Sequence, residues 1–406
     1  MQVLLFEDRQ VAEQRPITLS RPAFRITMGG TDLEKLVRDR GFTPGLIVRD
    51  YLAPLVELKS KNEPVADKKV LFINASMVPR VSDLEEILKL CEKNGRFCIL
   101  QGERVAASYF PEIKISLADL NPENINSLLL DDNPPVVDQP VLLVNRTYEV
   151  VKYNMQIIGD NLERMAERYH RLHDGVYVGR DVELSDHISF DTHDGLIIID
   201  DNSFVSDYVL LRGPLYIGRK VRVNEYSAIK EECSIRDTVK IGGEVEASVV
   251  ESYSNKQHHG FLGHAYLGSW INIGAGTSNS DLKNTYGTVN VVHKGVKENT
   301  GMQFLGCIVG DYSKTAINTS IFTGKTIGFS SLVYGYVTGN VPSFTNWGQS
   351  LGSVTKYNLE AAVKTQKRMF GRRKIEQTPV HIQLIKDIFD MTEDEHGPYK
   401  DEPVAF

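Results

Sequence analysis

The chain has 406 residues, of which 41% are hydrophobic and 24% charged, with a formal net charge of −7. That length allows two or three domains, and the composition is that of an ordinary globular protein. The acidic balance gives no reason to expect nucleic-acid binding, no stretch is apolar and long enough for a membrane span, and the start MQVLLFEDRQ lacks a basic region ahead of an apolar run.

Residues 1–150 read as an α/β domain. Apolar runs at Val3–Phe6, Leu46–Val48, Val70–Ile73 and Phe97–Leu100 have the length and composition of buried parallel strands. Helical patterns lie between them at Thr31–Arg40 and Ser82–Lys93, the second with Ser82 placed as N-cap and Glu85 three residues on. Asp131-Asp132-Asn133-Pro134-Pro135 marks a loop. Asn154–Arg171 has the pattern of a charged amphipathic helix, and residues 151–174 are taken as a connector. Cys91, Cys98, Cys233 and Cys307 show no CxxC spacing and are expected to be reduced, core-filling thiols, which suits a cytoplasmic protein.

From Ile199 an aliphatic residue recurs every sixth position: Val205, Leu211, Ile217, Val223, Ile229, Ile235, Ile241. A period of six is neither helical nor that of a flat strand; it is the hexapeptide signature of a parallel β-helix, in which one aliphatic side chain per side points into a narrow tube. Glycines following the aliphatic (Gly218, Gly242) are expected where the chain turns. A second block runs Phe261, Leu267, Ile273, then Val309, Ile321, Ile327, Val333, with the stretch from about Gly276 to Gln303 expelled as a loop. The β-helix is assigned to 175–345. Residues 346–406 form a tail with helices expected at Leu359–Phe370 and His381–Phe389 and a frayed acidic end.

A β-helix core is aliphatic, so polar clusters beside it need a reason. The densest runs from Tyr253 to Gly268 and holds His258, His259 and His264, imidazoles that titrate near neutrality. Lys256 can neutralise a phosphate, Asn272 can orient an amide or hydroxyl, and Lys283 can assist with phosphate. Lys367-Arg368 and Arg372-Arg373-Lys374 form a basic cluster that either grips a phosphate-rich cofactor or complements the end of a helix.

His258-x-x-Phe261-Leu262-Gly263, running without a gap to Asn272-Ile273-Gly274-Ala275-Gly276-Thr277, resembles the acetyltransferase half of the bifunctional N-acetylglucosamine-1-phosphate uridyltransferase/glucosamine-1-phosphate acetyltransferase family. The longer string from Ser254 to Asn284, with Leu5-Phe6-Glu7-Asp8, Thr18, Arg21-Pro22 and Ile26, is closer to its divergent bacterial branch, fused to a short sugar-nucleotidyltransferase-like domain. The resemblance implies a left-handed parallel β-helix, a homotrimer with active sites between subunits, and acetyl-CoA as co-substrate. His258 would be the general base. Lys256, Asn272, Phe261, His264, Tyr266 and Lys283 would meet an amino-sugar phosphate or nucleotide sugar, and Ala275, Gly276, Arg372 and Arg373 the cofactor. A shifted register would put His264-Ala265-Tyr266-Leu267-Gly268 on the motif instead. Phe261 stands where the family has Tyr, which removes a hydroxyl.

Nucleotidyl transfer needs backbone amides around a triphosphate and carboxylates for Mg²⁺. Arg21, Arg25, Gly29 and Gly30 are the candidate nucleotide contacts, Gly29-Gly30-Thr31 opening a helix, but no metal-binding carboxylate stands out. Two other classes compete with the bifunctional enzyme: a trimeric scaffold that binds a nucleotide sugar through an inactive first domain, and a zinc lyase using His259 and His264.

Overall fold

Short runs of β-branched and aromatic residues build the first sheet. In a computed structural model that describes residues 1–59, 69–112 and 120–402, Gly45–Ile47, Gln2–Phe6 and Val70–Asn74 lie side by side and parallel. Phe97–Gln101 runs in the same direction but does not touch them. Arg104–Phe110, a strand the apolar pattern does not announce, turns back at Gly102 and inserts antiparallel between Val70–Asn74 and Phe97–Gln101. One face is packed by Phe6, Phe72, Val105, Phe110, Ile125 and Leu129. The helices differ from expectation at their starts. Leu33–Asp39 is capped by Asp32, whose carboxylate accepts from the Lys35 amide at 2.8 Å. Val81–Lys93 begins one residue before Ser82 and has no side-chain cap, and Glu85 instead accepts from Arg40 at 2.6 Å.

The chain divides into two units: Met1–Ile26 with Thr31–Glu149, and Thr27–Gly30 with Val150–Phe406. The second is a parallel β-solenoid carrying helices. Its coils have three sides, so every third rung of the six-residue ladder stacks. Ile199, Ile217 and Ile235 pair on one side, Val205, Val223 and Ile241 on the next, Leu211 and Ile229 on the third. Each has no exposed surface, and each such aliphatic contributes about 1.5–3 kcal/mol of burial. The helix Glu149–Met165 starts five residues before the expected Asn154 and covers the solenoid with Ile158, Leu162 and Met165 against Ile198 and Tyr216.

Three details depart from the periodic reading. In the second block Leu262, not Phe261, stacks inward on Val245, while Phe261 pairs with Glu244 on the other face of the strand. The expelled loop starts later than Gly276, because Ser278–Asn279 still pairs with Ser320–Ile321; Leu282 and Phe304 bridge its neck, and a hairpin of Asn290–His293 and Val296–Asn299 forms within it. Gly218 and Gly242 do not take the left-handed conformation expected of corner glycines, although Gly243 and Gly276 do. Tyr208, Lys220, Tyr226, Glu232, Thr238, Tyr253, His264 and Trp270 occupy the left-handed region as well, an uncommon state for such residues. Gly242 serves coil-to-coil approach: a Cβ there would overlap the Gln257 carbonyl of the next coil.

The tail folds as helices Leu359–Arg372, Pro379–Met391 and Glu393–His396. Its end is not frayed through the described residues: Tyr399 packs edge-on to Trp347, and the Lys356 amide donates to the Lys400 carbonyl at 2.8 Å. All four cysteines are buried and unpaired, and burial pushes the Cys91 and Cys307 thiols up to about 12 and Cys98 to about 11. Among the described residues no helix is long and apolar enough to cross a membrane.

Candidate functional site

The histidine-rich segment occupies one coil of the solenoid and its two corners. Lys256 stands in the inward ladder, pairing with Ile241, where every neighbouring coil places an apolar or small side chain. It is 1% exposed, and its ammonium donates to the carbonyls of Gly242 and His258, both at 2.8 Å. Burial pulls it down to about 8. The lysine therefore props the turn from within and does not face a phosphate. His258 and His259 follow it into solvent. The His258 ring has no protein partner among the described residues. The turn lies against Gly276, whose amide donates to the His259 carbonyl at 3.0 Å; a Cβ on Gly276 would overlap the Asn318 amide. Ala275 is half-buried beside it.

His264 takes the next corner with φ of 47°. It is 7% exposed, its Nδ1 lies 2.9 Å from Asp281 Oδ2, and its ring stacks on Phe304 at 5.2 Å. Gly263 makes that pairing possible, since a Cβ there would occupy the place of the Asp281 carboxylate. His264 and Asp281 are 17 residues apart, the same offset as the stacked pair Val250 and Leu267. Coil length thus carried a signal for Asp281 that motif spacing missed.

Tyr266 is fully buried and donates its hydroxyl to Glu251 at 3.1 Å, so it has no face for a substrate. Phe261 is half-buried, its amide donating to Ser278 Oγ. Lys283 lines a cleft of about 770 Å³ with Lys297 and Lys325 and donates to the Thr288 carbonyl at 2.9 Å. Asn272, Arg372 and Arg373 meet in a smaller cavity of about 250 Å³, joined there by Lys240 and Lys314, which the sequence did not single out. Arg373 donates to Asn255 Oδ1 at 2.8 Å. Among the described residues no three His, Cys, Asp or Glu side chains converge as metal ligands.

The nucleotide candidates are used internally. The Gly29 amide donates to Asn154 Oδ1 at 2.8 Å and the Gly30 amide to Ser234 Oγ at 2.9 Å, so neither is available to an anion. Arg25 donates to Glu34 at 2.6 Å. Burial opposes the charge on Glu34, but Arg25 and Arg38 hold its carboxyl below the ordinary range. Arg21 is 8% exposed. At the end of the first strand Glu7 receives Arg49 and the Ala23 amide, and Asp8 receives Arg104 and Asn74. Both carboxylates are committed to cations and do not suit a Mg²⁺ site.

A mixed α/β sheet unit and a hexapeptide-repeat solenoid with an imidazole-bearing coil make up the two units of the chain. Residues 3–169 match the sugar nucleotidyl transferase family. Among curated relatives, the bifunctional protein GlmU of Rippkaea orientalis is 30% identical over 111 residues, 26% of this chain and 24% of that protein. The bifunctional sugar-1-phosphate nucleotidylyltransferase/acetyltransferase of Sulfurisphaera tokodaii is 33% identical over 97 residues, 23% of this chain and 24% of that one. The matched stretch spans about a quarter of the length of these relatives. Among solved structures, a UDP-N-acetylglucosamine acyltransferase of Francisella novicida aligns at 13% identity over 54% of this chain and 89% of that chain, with a TM-score of 0.30.

Proposed function

We propose that the solenoid transfers an acetyl group from acetyl-CoA to the amine of an amino-sugar 1-phosphate or a nucleotide-linked amino sugar, and that the α/β unit, which matches the sugar nucleotidyl transferase family, binds a nucleotide sugar. The observation that carries the first half is His258: a solvent-facing imidazole with no protein partner among the described residues, on a turn held from inside by Lys256 and resting on Gly276. As the amine nitrogen attacks the thioester carbonyl, His258 takes the amine proton and returns it to the departing sulfur, giving an acetamide and free CoA thiol. Asn272, exposed on the neighbouring strand position, orients the substrate. Ala275 and Gly276 line the approach of the cofactor, and Arg372 and Arg373 meet its phosphates. Assembly as a trimer, with sites completed between subunits, is supported by exposed rings and aliphatics on the solenoid: Tyr208 at 56%, Tyr226 at 75%, Ile317 at 68% and Tyr336 at 60%. A cytoplasmic setting fits the acetyl-CoA donor and the unpaired cysteines.

The α/β unit binds a nucleotide sugar in this reading. Because Glu7 and Asp8 are tied to Arg49 and Arg104, no metal-dependent step is assigned to it. A second reading of the base is favoured by the pairing of His264 with Asp281, which fixes Nδ1 and leaves Nε2 as the acceptor. The test is thiol release from acetyl-CoA with glucosamine-1-phosphate, followed by pyrophosphate release on adding UTP and Mg²⁺. Thiol release supports the acetyltransferase; its absence across a panel of amino-sugar phosphates and nucleotide sugars overturns it in favour of a binding scaffold. Pyrophosphate release would overturn the view of the α/β unit as a binding domain without metal-dependent chemistry.

A further inference from the structure

We infer that the 250 Å³ cavity between the solenoid and the end of the helix Leu359–Arg372 is a phosphoryl site, built by Lys240, Lys314, Arg372 and Arg373 to hold a phosphomonoester or diphosphate group. The inference deepens the acetyltransferase reading for Arg372 and Arg373 but is carried by the two solenoid lysines.

Four cations line the cavity and, among the described residues, no aspartate or glutamate does. They come from three separated stretches of chain. Lys240 and Lys314 sit on one side of the solenoid in the ladder Lys240–Asn255–Asn272–Lys314. Arg372 and Arg373 come from the helix end, which Phe370 fixes by packing on Trp270 at 4.6 Å. Arg372 and Arg373 alone could be explained by the helix dipole. Lys240 and Lys314 are on strands and have no such explanation. Lys314 is largely enclosed, with its ammonium donating to the Tyr312 carbonyl at 2.7 Å. Burial disfavours the charge on Lys240, and Arg373, Arg222 and Arg372 repel it. Converging unpaired cations is unfavourable in the empty site, and a dianionic ligand reverses the sign of each term. The neutral groups suit the same ligand: Asn255 orients the Arg373 guanidinium, and Asn272 and Gln257 supply amide donors at the rim. The volume admits one phosphate or a diphosphate, not a whole nucleotide. Trp270 has both faces covered, by Tyr253 at 4.4 Å and by Phe370, so no platform for a base opens here.

The experiment is calorimetric titration of the full chain with inorganic pyrophosphate, for wild type, Lys314→Met and Arg373→Gln, with folding checked by thermal melting. The expected result is one site per chain in wild type, weakened at least tenfold in both variants. No binding by wild type, or binding undiminished in both folded variants, overturns the inference. This readout does not depend on acetyl transfer, so it separates failure of the phosphoryl site from failure of the enzyme reading. Kinetic arms then identify the source. A rise of tenfold or more in the KM for acetyl-CoA assigns the group to the donor, and the same rise for the amino-sugar 1-phosphate assigns it to the acceptor. A KM unchanged for both, with turnover intact, overturns its role in the reaction.

Discussion

Two of the three histidines in one coil, His258 and His264, differ in the way that matters for proton transfer. His258 is solvent-facing with a free ring; His264 is enclosed, stacked on Phe304 and paired with Asp281. If His258 is the base, His258→Ala lowers thiol release by about 10²–10⁴-fold, the range of general-base catalysis, while Asp281→Ala changes it less than tenfold. The reverse order, measured under single-turnover conditions, transfers the base to His264. Lys256 gives a second prediction. Its folded value, about 8, lies below the roughly 10.4 of an unfolded lysine. Below pH 8 both states are protonated and the buried charge is a standing cost. Between pH 8 and about 10.4 the folded protein sheds the proton while the unfolded chain keeps it, so stability rises with pH. The melting temperature of wild type relative to Lys256→Met should therefore climb from pH 7.5 to 9.5. A difference that stays flat or falls would mean the ammonium is not desolvated as its position implies.

At the level of the element, the solenoid was legible because its driving force is periodic. One aliphatic per six residues can be read without knowing where the coil closes, and Ile199 through Ile241 stack as that period requires. Coil length is what the period leaves open. Ile235 stacks on Val250 and Ile241 on Lys256, offsets of 15 residues, so the frame slips within the histidine-rich coil and the inward position moves from Phe261 to Leu262. The same slip places Lys256 inside. Tyr266 looked like a site residue because it sits in a polar string, yet it lies on the opposite face of its strand from the core residue Leu267 and is buried against Glu251. Corner chemistry was also illegible: Tyr, Lys, Thr and Trp adopt left-handed backbone there, held by ladder hydrogen bonds rather than by their own preference. The glycines can be tested directly. Gly276→Ala combines a φ of 75° with overlap on Asn318, and an alanine there should lower stability by about 1–3 kcal/mol and loosen the His258 turn. A denaturant midpoint equal to wild type would show that the coil can shift to admit a methyl group.

At the scale of the molecule, the four residues Thr27–Gly30 belong to the solenoid unit although they lie early in the chain. Their hydrogen bonds explain why. Glu251 is 3% exposed and accepts from the Thr27 amide at 2.9 Å, from Thr27 Oγ1 at 3.1 Å and from Tyr266. A buried carboxylate is tolerable only with donors of this kind. Asn154 Oδ1 gathers the Gly29 amide and Ser234 Oγ, and Ser234 in turn accepts from Gly30. A fragment beginning at Val150 lacks every donor from Thr27–Gly30 and leaves Glu251 with fewer partners in the same enclosed place. Hydrogen bonds to charged groups are worth about 1.5–3 kcal/mol each, so the fragment should melt below the solenoid transition of the full chain. Glu251→Gln should recover part of the loss in the fragment, because an amide avoids the buried charge, and should destabilise the full chain, where the Thr27 donors favour a carboxylate. The opposite signs are the test: if Glu251→Gln shifts fragment and full chain in the same direction, the early segment does not serve to neutralise Glu251, and the solenoid holds that charge by itself.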